Sequence, residues 1–501
     1  MKETTRLGRN FTFVVAAQLF SQVLTLLISI LIARTLGAEQ YGVFVFGYAF
    51  PGWFLLIASL GLDSVLTMDV AADKSKAGTY LSTISLLRVL LLTVVTALVW
   101  TSLSFVLSDP YARTVAMILG TCTVVTTFVG ALGATFLAFE RMEFIAIVTV
   151  VERTFTATLV ISLLHFGGGL LLVSLVFLGG SVFSLVVSLV IMKLKVAWFS
   201  PKVDFHLMRR IMKKGIPFLL AGVVASLMVT TAPVLLTSFH DAISTGHFNA
   251  AYALVGALQA PLSTAGMILF PAMSRMYKEK PQMLPTVIRK TQRLFLTIGI
   301  PATFGGFFYA REIVTLLYGN AFNESVTSFE VLIFLVAITA STLGIGSAWA
   351  ATGRQKLNLH IGSVGATVNV LLCLALIPFW GPLGAAVAFL TANIAIMALT
   401  FGMMHRTIAK ANLLEILPKP IVAGVVMLFC LYTLPRLSLW EGLIVAPLIY
   451  FPSLFLLRGL NRDDLHLIHE AVSGVFAHRQ SSEEDKVSHM PESDASGRIK
   501  Q

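Results

Sequence analysis

The sequence has few charged residues. Only 12% of its 501 residues are Asp, Glu, Lys or Arg, and its mean hydropathy is +0.85. A soluble globular domain carries about 25% charged residues, so this composition excludes that class. It predicts an all-α integral membrane protein instead, because long apolar helices satisfy their own backbone hydrogen bonds within a bilayer.

Cysteines and catalytic motifs are also scarce. Cys122, Cys373 and Cys430 are the only cysteines, and each lies in an apolar segment without paired spacing. Such residues are typical of small core side chains, not of disulfides or metal ligands. His165 and His247 are isolated near span ends, where we expect an interfacial position. The sequence has no phosphate-binding loop, zinc-binding histidine pair or GxSxG motif, so we expect no metal, no cofactor and no enzymatic activity.

Acidic residues are fewer than basic ones, which gives a net charge of +11. In a soluble protein such an excess indicates a nucleic-acid partner. Here the basic residues are concentrated in every second connection between apolar segments, as the positive-inside rule requires. We therefore expect no nucleic acid and place both termini in the cytoplasm. The densest basic stretch, 193–214, contains Asp204 as its only acid and predicts a cytoplasmic linker between two halves.

Fourteen apolar segments are long enough to cross a bilayer. This predicts fourteen transmembrane helices, at roughly 11–34, 42–65, 79–107, 112–139, 143–165, 170–192, 215–239, 248–274, 291–310, 326–350, 357–379, 382–405, 418–434 and 441–457.

An internal repeat relates the spans before the linker to those after it. GATFLAFERMEF and GSAWAATGRQKL align Arg141 with Arg354 at a spacing of 213, and AEQYGVF and AISTGHF align Gly42 with Gly246 at a spacing of 204. Each half holds six spans, so the repeats share one orientation in the membrane. The predicted organisation is an N-terminal lobe (1–192), the linker (193–214), a C-terminal lobe (215–410), two additional helices (411–459) and a polar cytoplasmic tail expected to be disordered (460–501).

Four stretches carry a family resemblance: LIARTLGAEQYGVFVFGYAF from Leu31, ILFPAMSRMY from Ile268, REIVTLLYGNAFNES from Arg311 and NVLLCLALIPFWGPLGAAVAFLTANI from Asn369. Together they resemble the polysaccharide-biosynthesis membrane proteins, the oligosaccharide-flippase branch of the multidrug, oligosaccharidyl-lipid and polysaccharide exporter superfamily. The resemblance implies two six-helix lobes around a V-shaped central cavity. It also implies a multi-pass monomer in a prokaryotic cell membrane that translocates a polyprenyl-phosphate-linked sugar. Membrane lipids and a coupling ion, H⁺ or Na⁺, are the other implied partners.

Charged residues inside the spans are the first candidates for the cavity. Arg88 and Arg153 lie about mid-span, where a charge is costly and functional by default. A cation there would offset the desolvation of a pyrophosphate. A structural ion pair with Glu152 is the alternative, although adjacent residues such as Glu152 and Arg153 point about 100° apart on a helix and are not expected to pair. For Asp63, near Asp69 at the end of span 2, a solvated loop is favoured over an ion site.

Uncharged polar residues are the second group of candidates. Amide side chains suit sugar hydroxyls because they both donate and accept hydrogen bonds. Interhelical hydrogen bonds are the alternative explanation, and we favour it for Asn369. The group comprises Gln18, Gln22, Asn249, Tyr252 and Gln259, with Asn369 and Asn393 as further amides.

Three functions remain open at this point. The first is a flippase for a lipid-linked oligosaccharide or polysaccharide precursor. The second is an ion-coupled multidrug or metabolite antiporter, which needs a midplane carboxylate, and Glu152 is the clear one. The third, a polysaccharide polymerase or ligase, needs a large outside loop and is disfavoured because the predicted outside loops are short.

Overall fold

The computed structural model describes residues 2–200, 203–408, 416–434, 437–457 and 459, with side chains described from residue 14 onward except at 55–58, 267–268 and 271–272. Over these ranges the chain forms α-helices joined by short turns and 3₁₀ segments, without a strand. The all-helical fold is therefore confirmed. The predicted polar tail, 460–501, lies outside the described residues.

Sixteen α-helices lie within the described ranges, and we number them in chain order. They are α1 (Lys2–Ser59), α2 (Leu62–Ala72), α3 (Ala77–Val106), α4 (Pro110–Ala138), α5 (Met142–His165), α6 (Leu170–Lys195), α7 (Phe205–Phe239), α8 (Ala242–Glu279), α9 (Leu284–Phe308), α10 (Ala310–Tyr318), α11 (Ser325–Leu332), α12 (Phe334–Thr342), α13 (Ile345–Ala351), α14 (Lys356–Thr407), α15 (Pro418–Thr433) and α16 (Leu439–Leu456).

Length and apolarity confirm a multi-pass membrane protein. Within the described residues, nine helical stretches are long and apolar enough to cross a membrane. Two of them, Val14–Phe54 and Lys356–Thr407, contain 41 and 52 residues, about twice the 20 that one crossing needs.

Helix α1 is a hairpin with two arms. Its backbone leaves the helical region at Gly37, where φ is 83° and ψ is 173°. Ser29 and Tyr41, twelve positions apart, would be about 18 Å apart along a straight helix. Their hydroxyl oxygens are instead 2.6 Å apart, so the chain reverses at the glycine, whose positive φ costs little without a Cβ. The second arm ends at Leu60 and Gly61, both with positive φ.

Helix α14 reverses in the same way. The reversal is at Gly381, with φ 51° and ψ −127°. A Cβ at Gly384 would lie 2.6 Å from the Leu376 carbonyl oxygen, although eight positions of straight helix span about 12 Å. The predicted tenth span is broken further, into α11, α12 and α13, with a second positive φ at Gly344.

Arg141 and Arg354, which align in the repeat, end two turns of the same type. The backbone N–H of Arg141 donates to the carbonyl of Phe136 at 2.8 Å, and that of Arg354 donates to Trp349 at 2.7 Å. The residue before each arginine has a positive φ, 60° and 73° respectively. This is a common way for a helix to end. Positions aligned at a spacing of 213 thus have the same local structure.

Helices α1 and α8 cross at the second pair of aligned motifs, AEQYGVF and AISTGHF. A Cβ on Gly42 would overlap the carbonyl oxygen of Ala242, and one on Gly246 would overlap that of Ala38. Both the glycines and the alanines are aligned at a spacing of 204, so the contact is reciprocal. Small residues let two helix backbones approach this closely.

A second close contact joins α7 to the break between α1 and α2. A Cβ on Gly215 would overlap the carbonyl oxygen of Leu60. Beside it, Lys214 Nζ donates to both carboxylate oxygens of Asp69 at 2.9 and 3.0 Å. Asp69 also accepts a hydrogen bond from Tyr80 at 3.0 Å. Asp69 therefore lies inside α2 and binds α7.

Within the basic stretch, Ser200 lies beside the start of α3. Ser200 donates its N–H to the carbonyl of Gly78 at 3.2 Å and accepts from Ser82 at 2.5 Å. Asp204 caps α7 by accepting from two backbone N–H groups. The hydrogen bond from Leu207 is the main reason that the pKa of Asp204 is lowered from its usual value.

Candidate functional site

A cavity of about 720 Å³ is lined by residues of helices α1 and α4 to α8. Both arms of α1 and parts of α4, α5 and α6 form one side, and α7 and α8 form the other. The reciprocal α1–α8 crossing brings these two helices together at the edge where the two sides of the cavity meet.

The structure brings five of the eight predicted site residues to this cavity and places three elsewhere. Gln18 is exposed and lies outside the lining. Gln259 donates to the Leu335 carbonyl at 3.2 Å and the Thr339 hydroxyl at 2.6 Å, which is the interhelical alternative. Arg88 is the third. The five predicted residues that line the cavity are Gln22, Glu152, Arg153, Asn249 and Tyr252.

Arg88 is fully buried in a closed ion pair. Its guanidinium donates to Asp63 Oδ1 at 2.7 Å and to the carbonyl of Thr127. The interaction ties α2, α3 and α4 together, so Arg88 does not share a space with Arg153. Two expectations are corrected here: the partner of Arg88 is Asp63 and not Glu152, and Asp63 lies in the first turn of a helix and not in a solvated loop.

Arg153 and Glu152 form an ion pair on the cavity wall. Arg153 Nε lies 3.3 Å from Glu152 Oε2. The expectation that these adjacent residues cannot pair is wrong, because their long side chains bend towards each other although their Cβ atoms diverge. Thr156, one turn later, donates to Glu152 Oε1 at 3.3 Å. Among the described lining residues, this pair supplies the only carboxylate and the only basic side chain.

A chain of polar side chains in the cavity lining links α8 to both arms of α1. Asn249 Nδ2 donates to the hydroxyl of Tyr41 at 2.8 Å, and that hydroxyl lies 2.6 Å from the Ser29 hydroxyl. All three residues line the cavity. Sequence reasoning missed Tyr41 and Ser29, although Tyr41 lies in the repeated AEQYGVF motif.

Aromatic rings cover another part of the wall. Phe44, Tyr48 and Phe177 form a cluster with ring centroids 5.1 to 5.9 Å apart. Tyr252 packs against Phe389, with centroids 5.3 Å apart. The cavity therefore combines apolar ring faces with a few fixed polar groups, which is typical of ligand sites. Phe44, Tyr48 and Phe177 were also missed, because an aromatic residue in a span is usually part of the core.

The remaining polar candidates have structural partners. Asn369 is buried and donates to the Met228 carbonyl of α7 at 3.4 Å, which agrees with an interhelical role. Asn393 bonds within its own arm of α14. His247 is buried, with Nδ1 3.2 Å from the Ser325 hydroxyl and Nε2 3.5 Å from the Glu324 carboxylate. Within the described part of the chain, no group of three His, Cys, Asp or Glu side chains could hold a metal ion.

Comparison with known proteins gives relatives for this architecture. The family model described as polysaccharide biosynthesis protein matches residues 7–277, more than half of the chain. The capsular polysaccharide biosynthesis protein CapF of Staphylococcus aureus is 22% identical over 392 residues, covering 75% of this chain and 94% of the relative. A putative O-antigen transporter of Escherichia coli K12 is 20% identical over 406 residues, covering 78% and 95%.

Among solved structures, the lipid II flippase MurJ in an inward closed conformation has the same fold. The TM-score is 0.75 at 14% sequence identity, over 88% of this chain and 97% of that one. The family expected from the four sequence stretches is thus confirmed. The protein is a multi-pass membrane protein that belongs to the polysaccharide biosynthesis protein family.

Proposed function

We propose that the protein is a transporter that moves a lipid-linked oligosaccharide or polysaccharide precursor across the cell membrane by alternating access. The observation that carries the proposal is the cavity between the two halves, with one arginine, several amide and hydroxyl groups, and aromatic faces on its wall. The names of the relatives, a capsular polysaccharide biosynthesis protein and a putative O-antigen transporter, support the same class of cargo.

Each part of such a substrate has a counterpart in the cavity. The guanidinium of Arg153 suits a phosphate, because a charged fork makes strong and directional hydrogen bonds to it. Asn249 and Gln22 suit sugar hydroxyls, and the ring faces of Phe44 and Tyr252 suit the apolar faces of sugar rings. A volume of about 720 Å³ fits a headgroup, while the polyprenyl tail stays in the bilayer.

The proposed topology has fourteen spans with both termini in the cytoplasm. The two arms of α1 and of α14 supply two spans each, and α11 to α13 together supply one. The lobes are 1–192 and 215–410, joined by the linker 193–214, with two additional helices within 411–459. The equivalent turns at Arg141 and Arg354 and the reciprocal α1–α8 crossing support two parallel repeats.

Alternating access would open the two ends of the cavity in turn. Gly42 and Gly246 hold the halves together at the α1–α8 crossing. Asp69 and Lys214 hold them together at the α2–α7 contact. Because these contacts lie on different helix pairs, one can separate while the other persists.

An ion-coupled antiporter of small molecules is the second candidate, because Glu152 supplies the carboxylate that such a transporter needs. Both candidates are tested in liposomes containing the purified protein and a labelled polyprenyl-diphosphate oligosaccharide. Movement is measured as access of an impermeant glycosidase to the sugar. The flippase proposal predicts faster movement than in protein-free liposomes, loss of movement with Arg153→Gln, and partial retention with Arg153→Lys.

Equal rates with and without protein would contradict the flippase. Proton-driven uptake of a cationic dye by the same liposomes would then favour the antiporter. Glu143→Gln is a matched control, because Glu143 also lies on α5 but pairs with Arg141 at 3.1 Å, away from the cavity lining.

A further inference from the structure

Arg88 and Arg153 differ in their exposure and in the partners of their guanidinium groups. Arg88 is 0% exposed and binds both a carboxylate and a carbonyl. The Arg153 side chain is 35% exposed, and within the described residues its one polar partner is Glu152, contacted through Nε. A guanidinium carries five N–H donors. Arg153 therefore has free donors available to a ligand in the cavity.

Glu152 has a second hydrogen-bond partner, which can still hold its carboxylate after Arg153 has moved to a ligand. Thr156 donates to its Oε1 at 3.3 Å. Gly180 of α6 leaves room for this arrangement, since a Cβ there would overlap the Thr156 hydroxyl and lie 3.6 Å from Glu152 Oε1. Other polar groups in the cavity lining include Tyr48 from α1, Thr126 from α4, Ser181 and Ser184 from α6, and Tyr252 from α8 on the opposite side.

A diphosphate entering the cavity would meet a single cation that already has a counter-ion. None of the other described lining groups is a second base, so the ligand and Glu152 compete for the same guanidinium. The carboxylate that loses this competition remains partly buried, at 16% exposed, beside a newly arrived anion. Burial and a neighbouring like charge both favour the protonated form of a carboxylate.

We propose that Glu152 is a displaceable counter-ion: a diphosphate takes Arg153 from it, and Glu152 then binds one proton from solvent. This proposal rests on the proposed function and names its coupling ion as a proton. The proton forms an O–H bond on the carboxylate, while Arg153 keeps its charge and binds the phosphates. When the diphosphate leaves, Arg153 returns to Glu152, and the proton is released to the side on which the cavity is open.

The test measures proton uptake on binding. The probe is farnesyl diphosphoryl N-acetylglucosamine, whose diphosphate is esterified at both ends and has no titration of its own near neutral pH. Calorimetry in two buffers with different ionisation enthalpies gives the number of protons bound with each ligand. We expect uptake approaching one proton for the wild type, and an affinity that falls as the pH is raised.

Variants separate this inference from the function on which it rests. Glu152→Gln should bind the probe with no proton uptake and little dependence on pH, and Glu143→Gln should behave as the wild type. Suppose that the wild type binds the probe without proton uptake and that Arg153→Gln abolishes binding. This result would overturn the counter-ion role of Glu152 and leave the flippase proposal standing. This readout needs no folded Glu152 variant. Weaker binding by folded Glu152→Gln at every pH would assign Glu152 to ligand contact and also overturn it.

If the wild type neither binds the probe nor moves the labelled oligosaccharide, the proposed function itself fails.

Discussion

Replacing Asp63 with Asn should destabilise the protein without any direct effect on the cavity. The change removes the negative charge from the Arg88–Asp63 pair, whose N–O distance is 2.7 Å. Arg88 would remain charged with 1% of its side chain exposed. Breaking a buried pair by removing one partner costs about 3–5 kcal/mol. Because Asp63 is 40% exposed and the Thr127 carbonyl still accepts, we expect the lower end, about 3 kcal/mol.

A loss of about 3 kcal/mol lowers the ratio of folded to unfolded protein more than a hundredfold. Unfolding of the purified protein in detergent, by heat or denaturant, measures this change. Asp69→Asn is the matched control, since it neutralises the Asp69–Lys214 pair, in which the lysine side chain is 49% exposed. Exposed pairs contribute about 0–1 kcal/mol.

The double variant Asp63→Leu/Arg88→Met completes the test. Replacing a buried ion pair with apolar side chains is often neutral or stabilising, so this variant should regain stability and retain transport. Unchanged stability of Asp63→Asn would refute the structural role of the pair. A stable double variant that no longer transports would assign Arg88 to the transport step.

Three further predictions concern the α1–α8 crossing, the cavity lining and the proposed topology. Gly42→Ala should lower the free energy of unfolding by about 1–3 kcal/mol, whereas Gly133→Ala, which has no atom within 4 Å of the added Cβ, should not. Asn249→Ala breaks the bridge to Tyr41 and should slow transport several-fold in liposomes, as expected for about 1 kcal/mol. A reporter fused at Asp204 should indicate the cytoplasm, and an extracytoplasmic signal there would contradict the topology.

The fold class was predictable because composition and hydropathy depend only on the chain. The repeat was also detectable, since the turn before Arg354 and the glycine of the α1–α8 crossing are short local motifs. The reversal at Gly37 was predicted as a loop of several residues between two spans. One glycine with a positive φ suffices, so the helical hydrogen bonding resumes at once.

The partners of the charged residues were not predictable from spacing alone. Arg88 binds Asp63, 25 positions earlier, because α2 and α3 pack together, and no local pattern encodes that contact. The pairing of Glu152 with Arg153 depends on side-chain torsions, which helical wheels ignore. Tyr41 and Phe177 resemble ordinary core aromatics until the packing of α1, α6 and α8 opens a cavity beside them.

The central claim is that the saccharide headgroup passes through the cavity between the two halves. It is tested by chemical blocking of one wall position, Tyr252→Cys, in protein whose native Cys122, Cys373 and Cys430 are replaced with Ala. Phe166→Cys, at a position 84% exposed in the turn after α5, is the control. We predict that the lipid-linked oligosaccharide slows maleimide labelling at position 252 and that complete labelling there stops transport. At position 166 the oligosaccharide should not change the labelling rate, and complete labelling should leave transport unchanged. Unchanged transport after complete labelling at position 252 would contradict passage through this cavity.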